Sequence, residues 1–326
     1  MSLRRNAEKE WIRKVYECLP VRKPLELAPT AGDIAGTDIS VEKAGRGFAD
    51  VAGMDSLKQL VKEGFVNVLR NRVCAEAFGV KPPSLLLYGP PGCGKTFIAE
   101  KIAEETGVNF IKVVPDDIAS TFVHGTQKKI ATVFRRAARQ APSIIFFDEF
   151  DAMVPHRSTD DNNHQSGETN EFLCMLNNAS EKGIYVVAAT NHPERIDRAV
   201  LRTGRIDELI YVDMPDAQSR ESLFRLSLSK LPAAEDIDYA RLAGLTQGYN
   251  CSDISYIVKM ASRKMFNESI AERDKLYKVI RQELLEETIS QRAPSVSSRD
   301  IREYERIRSE FSSYKDEGRL RPIGFC

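Results

Sequence analysis

Two stretches of this chain carry side chains whose types and order could bind a nucleotide and cleave its terminal phosphate. The first is Gly89-Pro90-Pro91-Gly92-Cys93-Gly94-Lys95-Thr96, which fits the pattern G-x-x-x-x-G-K-[ST]. Glycines let successive backbone N–H groups turn inward as a nest for an anion. A helix starting there adds the positive end of its dipole. Lys95 would reach the β- and γ-phosphates, and the Thr96 hydroxyl would ligate Mg²⁺. The second stretch is Ser143-Ile144-Ile145-Phe146-Phe147-Asp148-Glu149, an apolar run that ends in two carboxylates. A buried strand needs a reason to end that way. Asp148 can hold the metal through water. Glu149, on the opposite side of the strand by period two, can orient and polarise an attacking water. The bland alternatives are a Gly-rich turn with a chance lysine and a strand running out into a polar loop. Their occurrence together, in this order, argues against both.

Three more polar residues follow. The apolar run Ile184–Ala189 leads into Thr190-Asn191, and the two-sided amide of Asn191 could bridge a water, a phosphate and Glu149. Alone, Asn191 would read as a turn residue before Pro193. Arg202 and Arg205 are too far along the chain to close on their own site but suit a neighbour's, where an arginine finger is typically worth about 10³–10⁵ in rate. As an isolated pair they would read as solvated loop arginines.

The elements that must position these groups are legible as a pattern. Between about residues 82 and 213, short apolar runs alternate with helical stretches, which predicts a mainly parallel sheet covered on both faces. The predicted strands are Ser84–Tyr88, Val108–Val113, Ile144–Asp148, Ile184–Ala189 and Glu208–Val212, with a helix over Thr96–Glu105. Residues 218–290 are helical by period, a short helix covers about 298–312, and 313–326 reads as a loose tail. A polar helix over 3–19 and a linker over 24–46 precede the sheet. The expected division is an N-terminal helix and linker (1–46), an α/β nucleotide-binding domain (47–217), and a smaller all-α lid with a C-terminal helix and tail (218–326).

Composition narrows the classes. With 326 residues the chain suits about two domains of roughly 150 residues. Lysine plus arginine and aspartate plus glutamate number 47 each, so no overall charge steers the chain to nucleic acid or an anionic membrane. No basic run interleaved with aromatics is present, so no nucleic-acid partner is expected. The six cysteines are scattered and form no C-x-x-C pair, which favours separate reduced thiols. No apolar run is long enough to span a bilayer and no secretory signal is present, so cytoplasmic residence is the default expectation.

Taken together, these elements resemble the AAA family of ring ATPases over about residues 47–312. Phe48-Ala49-Asp50-Val51-Ala52-Gly53 looks like that family's adenine-contacting segment. The stretch from Ala189-Thr190-Asn191-His192-Pro193 to Leu201-Arg202-Thr203-Gly204-Arg205-Ile206-Asp207 looks like its second region of homology. The resemblance implies a P-loop α/β fold with a helical lid, ATP and Mg²⁺ as ligands, and a homo-oligomeric ring, typically a hexamer, acting on a protein substrate. It makes Asn191 sensor 1, Arg202 the main finger and Arg205 its companion. It implies nucleotide contacts from Val51, Ala52, Gly53, Pro91, Gly92, Cys93, Gly94, Lys95, Thr96, Phe97, Asp148, Cys251 and Ser252. Phe122-Val123-His124 fall on the first pore loop, where Phe122 would grip a threaded chain, and residues 156–168 match the second in position. Several positions depart from the family pattern. His124 replaces a glycine, and Cys251 and Ser252 replace a small Gly-Ala pair. Ser227 stands where many members have a ribose-contacting histidine, and Thr203 replaces the usual proline between the fingers. Ala293-Pro294-Ser295-Val296-Ser297-Ser298-Arg299-Asp300 with Tyr304-Glu305 resembles the last helix of the katanin, spastin and fidgetin branch.

The expected activity is therefore ATP hydrolysis that drives remodelling, disassembly or unfolding of a protein through a central pore. A self-contained P-loop kinase or nucleotidase would leave Asn191, Arg202, Arg205 and the lid without a task. A nucleotide-switched scaffold with little turnover would not need Glu149 or the arginines.

Overall fold

The computed structural model of the chain describes residues 45–118, 125–156, 172–202, 204–271 and 279–319. Five strands form one sheet: β1 (Leu85–Tyr88), β2 (Asn109–Val113), β3 (Ser143–Phe147), β4 (Ile184–Thr190) and β5 (Glu208–Tyr211). Their order is β2-β3-β4-β1-β5 and every pairing is parallel. β3 and β4 are buried at every residue, as strands covered on both faces must be. Alternation divides them between two cores. Ile145 and Phe147 pack with Phe134, Phe150 and Phe172 on one face. Ile144 and Phe146 pack on the other with Ile98, Ile102, Phe65 and Leu69. The second face is covered by α1 (Asp55–Val61), which continues through Lys62–Val66 to Arg70, and by α2 (Lys95–Thr106). On the first face lies α3 (Gly125–Arg139).

This topology dictates where chemistry can occur. β3, β4 and β1 are adjacent, so the loops after Phe147, Thr190 and Tyr88 open side by side at the carboxyl edge. Open parallel sheets bind ligands at that edge.

The second part of the chain is helical. α4 (Ala217–Leu228), α5 (Tyr239–Leu245), α6 (Cys251–Ala271) and α7 (Gln282–Ser290) enclose a separate core of Phe224, Leu242, Ile254, Ile257 and Leu285. Asp216 and Asp238 cap α4 and α5 by accepting from the amides of Ser219 and Arg241. The last helix, α8 (Ser298–Arg319), runs to Arg319, so the expected end near 312 and the expected loose tail are corrected over 313–319. A helix already nucleated adds one bond per residue, and Lys315, Asp316 and Glu317 do not stop it. From α8, Tyr304, Arg308 and Phe311 share one side and return to the sheet. Tyr304 Oη donates to the Asn191 carbonyl at 3.0 Å. Arg308 pairs with Asp213 at 3.2 Å and lies over the Tyr211 ring, and Phe311 packs on Tyr88 at 5.6 Å.

The helix and most of the linker expected before residue 45 lie outside the described residues, as do the pore-loop triplet Phe122, Val123 and His124, residues 157–168 of the second expected loop, and Thr203.

Candidate active site

The phosphate-type loop leaves β1 at Tyr88 and enters α2 at Lys95, the strand–loop–helix setting the motif needs. Gly92 and Gly94 adopt φ of 74° and 87°, values that a side chain would strain. A side chain at Gly92 would also strike Asn250, whose Nδ2 lies 2.4 Å from the Cβ position. At Gly94 there is open space within 4 Å, room for a ligand to approach the backbone. Lys95 is buried, and its Nζ donates to the carbonyls of Gly89 (2.9 Å) and Pro90 (2.7 Å) of its own loop. Burial pushes its ammonium down to about 8, against the pull of Asp148. A polyanion in the nest would reverse that. Cys93 is fully buried against Met214, with its thiol pushed up to about 12 by burial. It is an inert packing group. Phe97 is exposed, with Lys101 5.1 Å from its ring centre.

The acidic strand end meets this loop. Asp148 Oδ2 accepts from Thr96 Oγ1 at 3.0 Å, and Asp148 Oδ1 accepts from the Glu149 amide at 3.1 Å. β3 stops at Phe147, one residue before the predicted end, so strand alternation does not set the direction of Glu149. Glu149 instead takes a left-handed conformation (φ 48°, ψ 49°), uncommon for a residue with a side chain and a recurrent sign of a functional position.

Beyond β4, Thr190 Oγ1 donates to Asp151 (2.5 Å) and accepts from the His192 amide (2.8 Å). This fixes the turn holding Asn191, whose side-chain amide has no hydrogen-bond partner among the described residues. Arg205 is tied to its own chain, Nη1 donating to the Ala199 carbonyl at 2.6 Å. Arg202 is exposed, and among the described residues its guanidinium makes no hydrogen bond or ion pair. The Asp50–Gly53 segment is wedged between α2 and α4. Asp50 pairs with Lys101, and a Cβ on Gly53 would lie 2.0 Å from Ser219 Oγ. Val51 is buried and Ala52 half-buried. Gly53 also borders a cavity of about 600 Å³ lined by Leu57, Tyr211, Asp216 and Arg308. That cavity includes neither the phosphate loop nor Asp148, so the convergence of functional groups locates the site and cavity size does not.

The helical part clasps the loop through Ser252, which was expected at the nucleotide, and through Asn250, to which sequence reasoning gave no role. Asn250 Nδ2 donates to the Pro91 carbonyl (3.0 Å), and the Ser252 amide donates to the Gly92 carbonyl (3.0 Å). Asn250 is in turn held by Asp253, whose buried carboxylate takes Arg292 and the amide and hydroxyl of Ser295. Cys251 is half-buried beside this clasp, its thiol pushed up to about 11 by burial. The one available signal was an Asp in a helix N-terminal turn after Asn. Its partner Arg292 lies 39 residues on and could not be read from spacing.

The family described as "ATPase family associated with various cellular activities (AAA)" matches residues 85–214. A cell division cycle protein 48 homolog of Archaeoglobus fulgidus is 33% identical over 286 residues, covering 84% of this chain and 39% of that protein. A putative cell division cycle ATPase of Plasmodium falciparum is 35% identical over 224 residues, 68% of this chain and 18% of its own length. The human ATPase family gene 2 protein homolog A is 33% identical over 237 residues, 72% of this chain and 26% of its own. The chain spans less than half the length of these relatives. Among the described residues no helix is long and apolar enough to cross a membrane. With a parallel sheet, a G-x-x-x-x-G-K-T loop facing an Asp-Glu strand end, and relatives named as ATPases, the chain belongs to the AAA family of ATPases.

Proposed function

We propose that this chain binds MgATP at the carboxyl edge of β1, β3 and β4 and hydrolyses it in a ring of identical subunits. The observation that carries the reading is the 3.0 Å contact between Thr96 Oγ1 and Asp148 Oδ2, which joins the phosphate loop to the acidic strand end. That donor set, a hydroxyl and a carboxylate with open space at Gly94, suits Mg²⁺. Held there, the metal would supply neutralisation of the phosphate charge. Lys95 exchanges its loop carbonyls for phosphate oxygens, and the nest amides from Gly92 to Thr96 hold the β-phosphate. Glu149 accepts a proton from the attacking water, and the Asn191 amide orients that water against the γ-phosphate. The Arg202 guanidinium, without a partner among the described residues, completes a neighbouring subunit's site. Arg205, bonded to Ala199, positions the Arg202 loop. Val51, Ala52, Gly53, Phe97, Cys251 and Ser252 border the base and ribose.

Lid motion follows from the clasp. Asn250 and Ser252 bind the loop carbonyls of Pro91 and Gly92, so a change at the phosphates is felt by α6 directly. In this reading the ring remodels a protein substrate through a central pore lined by Phe122, Val123 and His124, and works in the cytoplasm. The katanin-branch resemblance rests on the last helix alone.

The test is ATPase activity per subunit against protein concentration, with and without Arg202→Ala. Shared sites require specific activity that rises with concentration and collapses in the variant. Activity that is independent of both makes the chain a self-contained P-loop enzyme and removes the ring.

A further inference from the structure

β2 lies at the edge of the sheet beside β3, and its residue Lys112 is only partly exposed. β2 reads Asn109-Phe110-Ile111-Lys112-Val113, and Lys112 is its one charged residue. Lys112 lies opposite Phe146 in the β3 register, one residue before Val113 opposite Phe147. The Asp148 amide then donates to the Val113 carbonyl at 3.0 Å, so the ladder itself delivers Asp148 beside Lys112. Lys112 Nζ stands 3.4 Å from Asp148 Oδ2, with the two side chains 30% and 23% exposed. That oxygen is the one that accepts from Thr96.

We infer that Lys112 is a positioning residue that stands in for the metal's charge at Asp148 Oδ2 and yields that oxygen when Mg²⁺ binds. This rests on the proposed metal role of Asp148. An ammonium and a hydrated dication repel each other and cannot both take full advantage of one carboxylate oxygen. With metal bound, Lys112 gives up that oxygen and turns to solvent, to which it is already 30% exposed. Without metal, it keeps Asp148 from repelling the phosphates. A lysine that merely balances surface charge would leave metal demand unaltered.

The experiment measures binding of a fluorescent non-hydrolysable ATP analogue by the full chain, with free Mg²⁺ titrated at fixed analogue. The expected result is a Mg²⁺ midpoint about threefold to fivefold lower in Lys112→Met, the range a partly exposed ion pair supports. Lys112→Arg should keep the wild-type midpoint. In EDTA, Lys112→Met should bind the analogue more weakly than wild type. Lys112→Gln serves as a second neutral variant, should Lys112→Met lose its helical circular dichroism. Equal midpoints for wild type and the neutral variants overturn the inference while leaving the metal reading intact. Wild-type binding indifferent to Mg²⁺, or unchanged in Mg²⁺ dependence by Asp148→Asn, overturns the metal reading and this inference with it.

Discussion

Asp253→Asn removes one charge from a side chain of the same shape and tests whether the clasp between lid and phosphate loop is electrostatic. Asp253 is 1% exposed and accepts from Arg292 Nε and Nη2 at 3.2 and 2.7 Å and from Ser295 N and Oγ at 3.1 and 2.9 Å. Removing one partner of a buried pair costs about 3–5 kcal/mol. Arg292 is 31% exposed, so water recovers part of its solvation, and an amide oxygen still accepts one bond. The expected loss is about 2–3 kcal/mol. Burial raises the Asp253 carboxyl, but Arg292, Ser295 and the Asn250 amide together hold it below its ordinary 3.8. A depressed carboxylate contributes stability that is fully present above its unfolded value and lost as pH falls through the folded one. The gap between wild type and variant should therefore be constant above about pH 5 and close as pH drops below 3.8. Urea unfolding followed by circular dichroism at pH 7 and at a series of lower values measures it. ATP affinity at pH 7 should fall in parallel, because Asn250 loses its support. A cost under about 0.5 kcal/mol at pH 7, or one equally large at pH 3, would refute the electrostatic argument.

Other consequences can be measured directly. Gly92→Ala forces a Cβ to 2.4 Å from Asn250 Nδ2 at φ 74° and should weaken ATP binding at least tenfold; unchanged affinity would show that the clasp gives way freely. Lys95 loses its proton near pH 8 in the free protein, so ATP affinity should decline above about pH 8 and lose that dependence in Lys95→Arg; a flat wild-type profile to pH 10 would rule out the depressed ammonium. Tyr304→Phe removes the hydroxyl from the Asn191 carbonyl and should slow ATP turnover with ATP affinity held within about twofold. Full turnover in that variant would make α8 a packing element without influence on the Asn191 turn.

Most of the sheet was legible from sequence because each strand is both apolar and bounded by turn residues. Boundaries moved by one residue, as at Ser84, Asp148 and Val212, where pairing partners rather than hydropathy end the ladder. The phosphate loop was legible because all of its chemistry lies within eight consecutive residues, Gly89 to Thr96. Asp148 and Glu149 were legible as a pair, but not the left-handed turn at Glu149, since nothing in Asp-Glu-Phe signals positive φ. Asn191, Arg202 and Arg205 carried little signal alone and drew their meaning from order along the chain. The structure now separates the two arginines, one bonded to Ala199 and one without a partner among the described residues.

What stayed hidden depends on contacts between distant residues. Asp253 with Arg292, Asp148 with Lys112 and Tyr304 with Asn191 are each a pairing of residues far apart in sequence, 39, 36 and 113 positions, and no local period encodes them. All three end on the backbone or carboxylates of the site. The phosphate loop is touched by the lid at Pro91 and Gly92, the turn holding Asn191 by α8, and the acidic strand end by β2. A fold of this kind can keep a short, readable motif while its surroundings are set by side chains that the motif does not contain. Lys112 makes the point most directly: Asn109-Phe110-Ile111-Lys112-Val113 reads as an ordinary strand with one misplaced charge until β3 brings Asp148 to 3.4 Å.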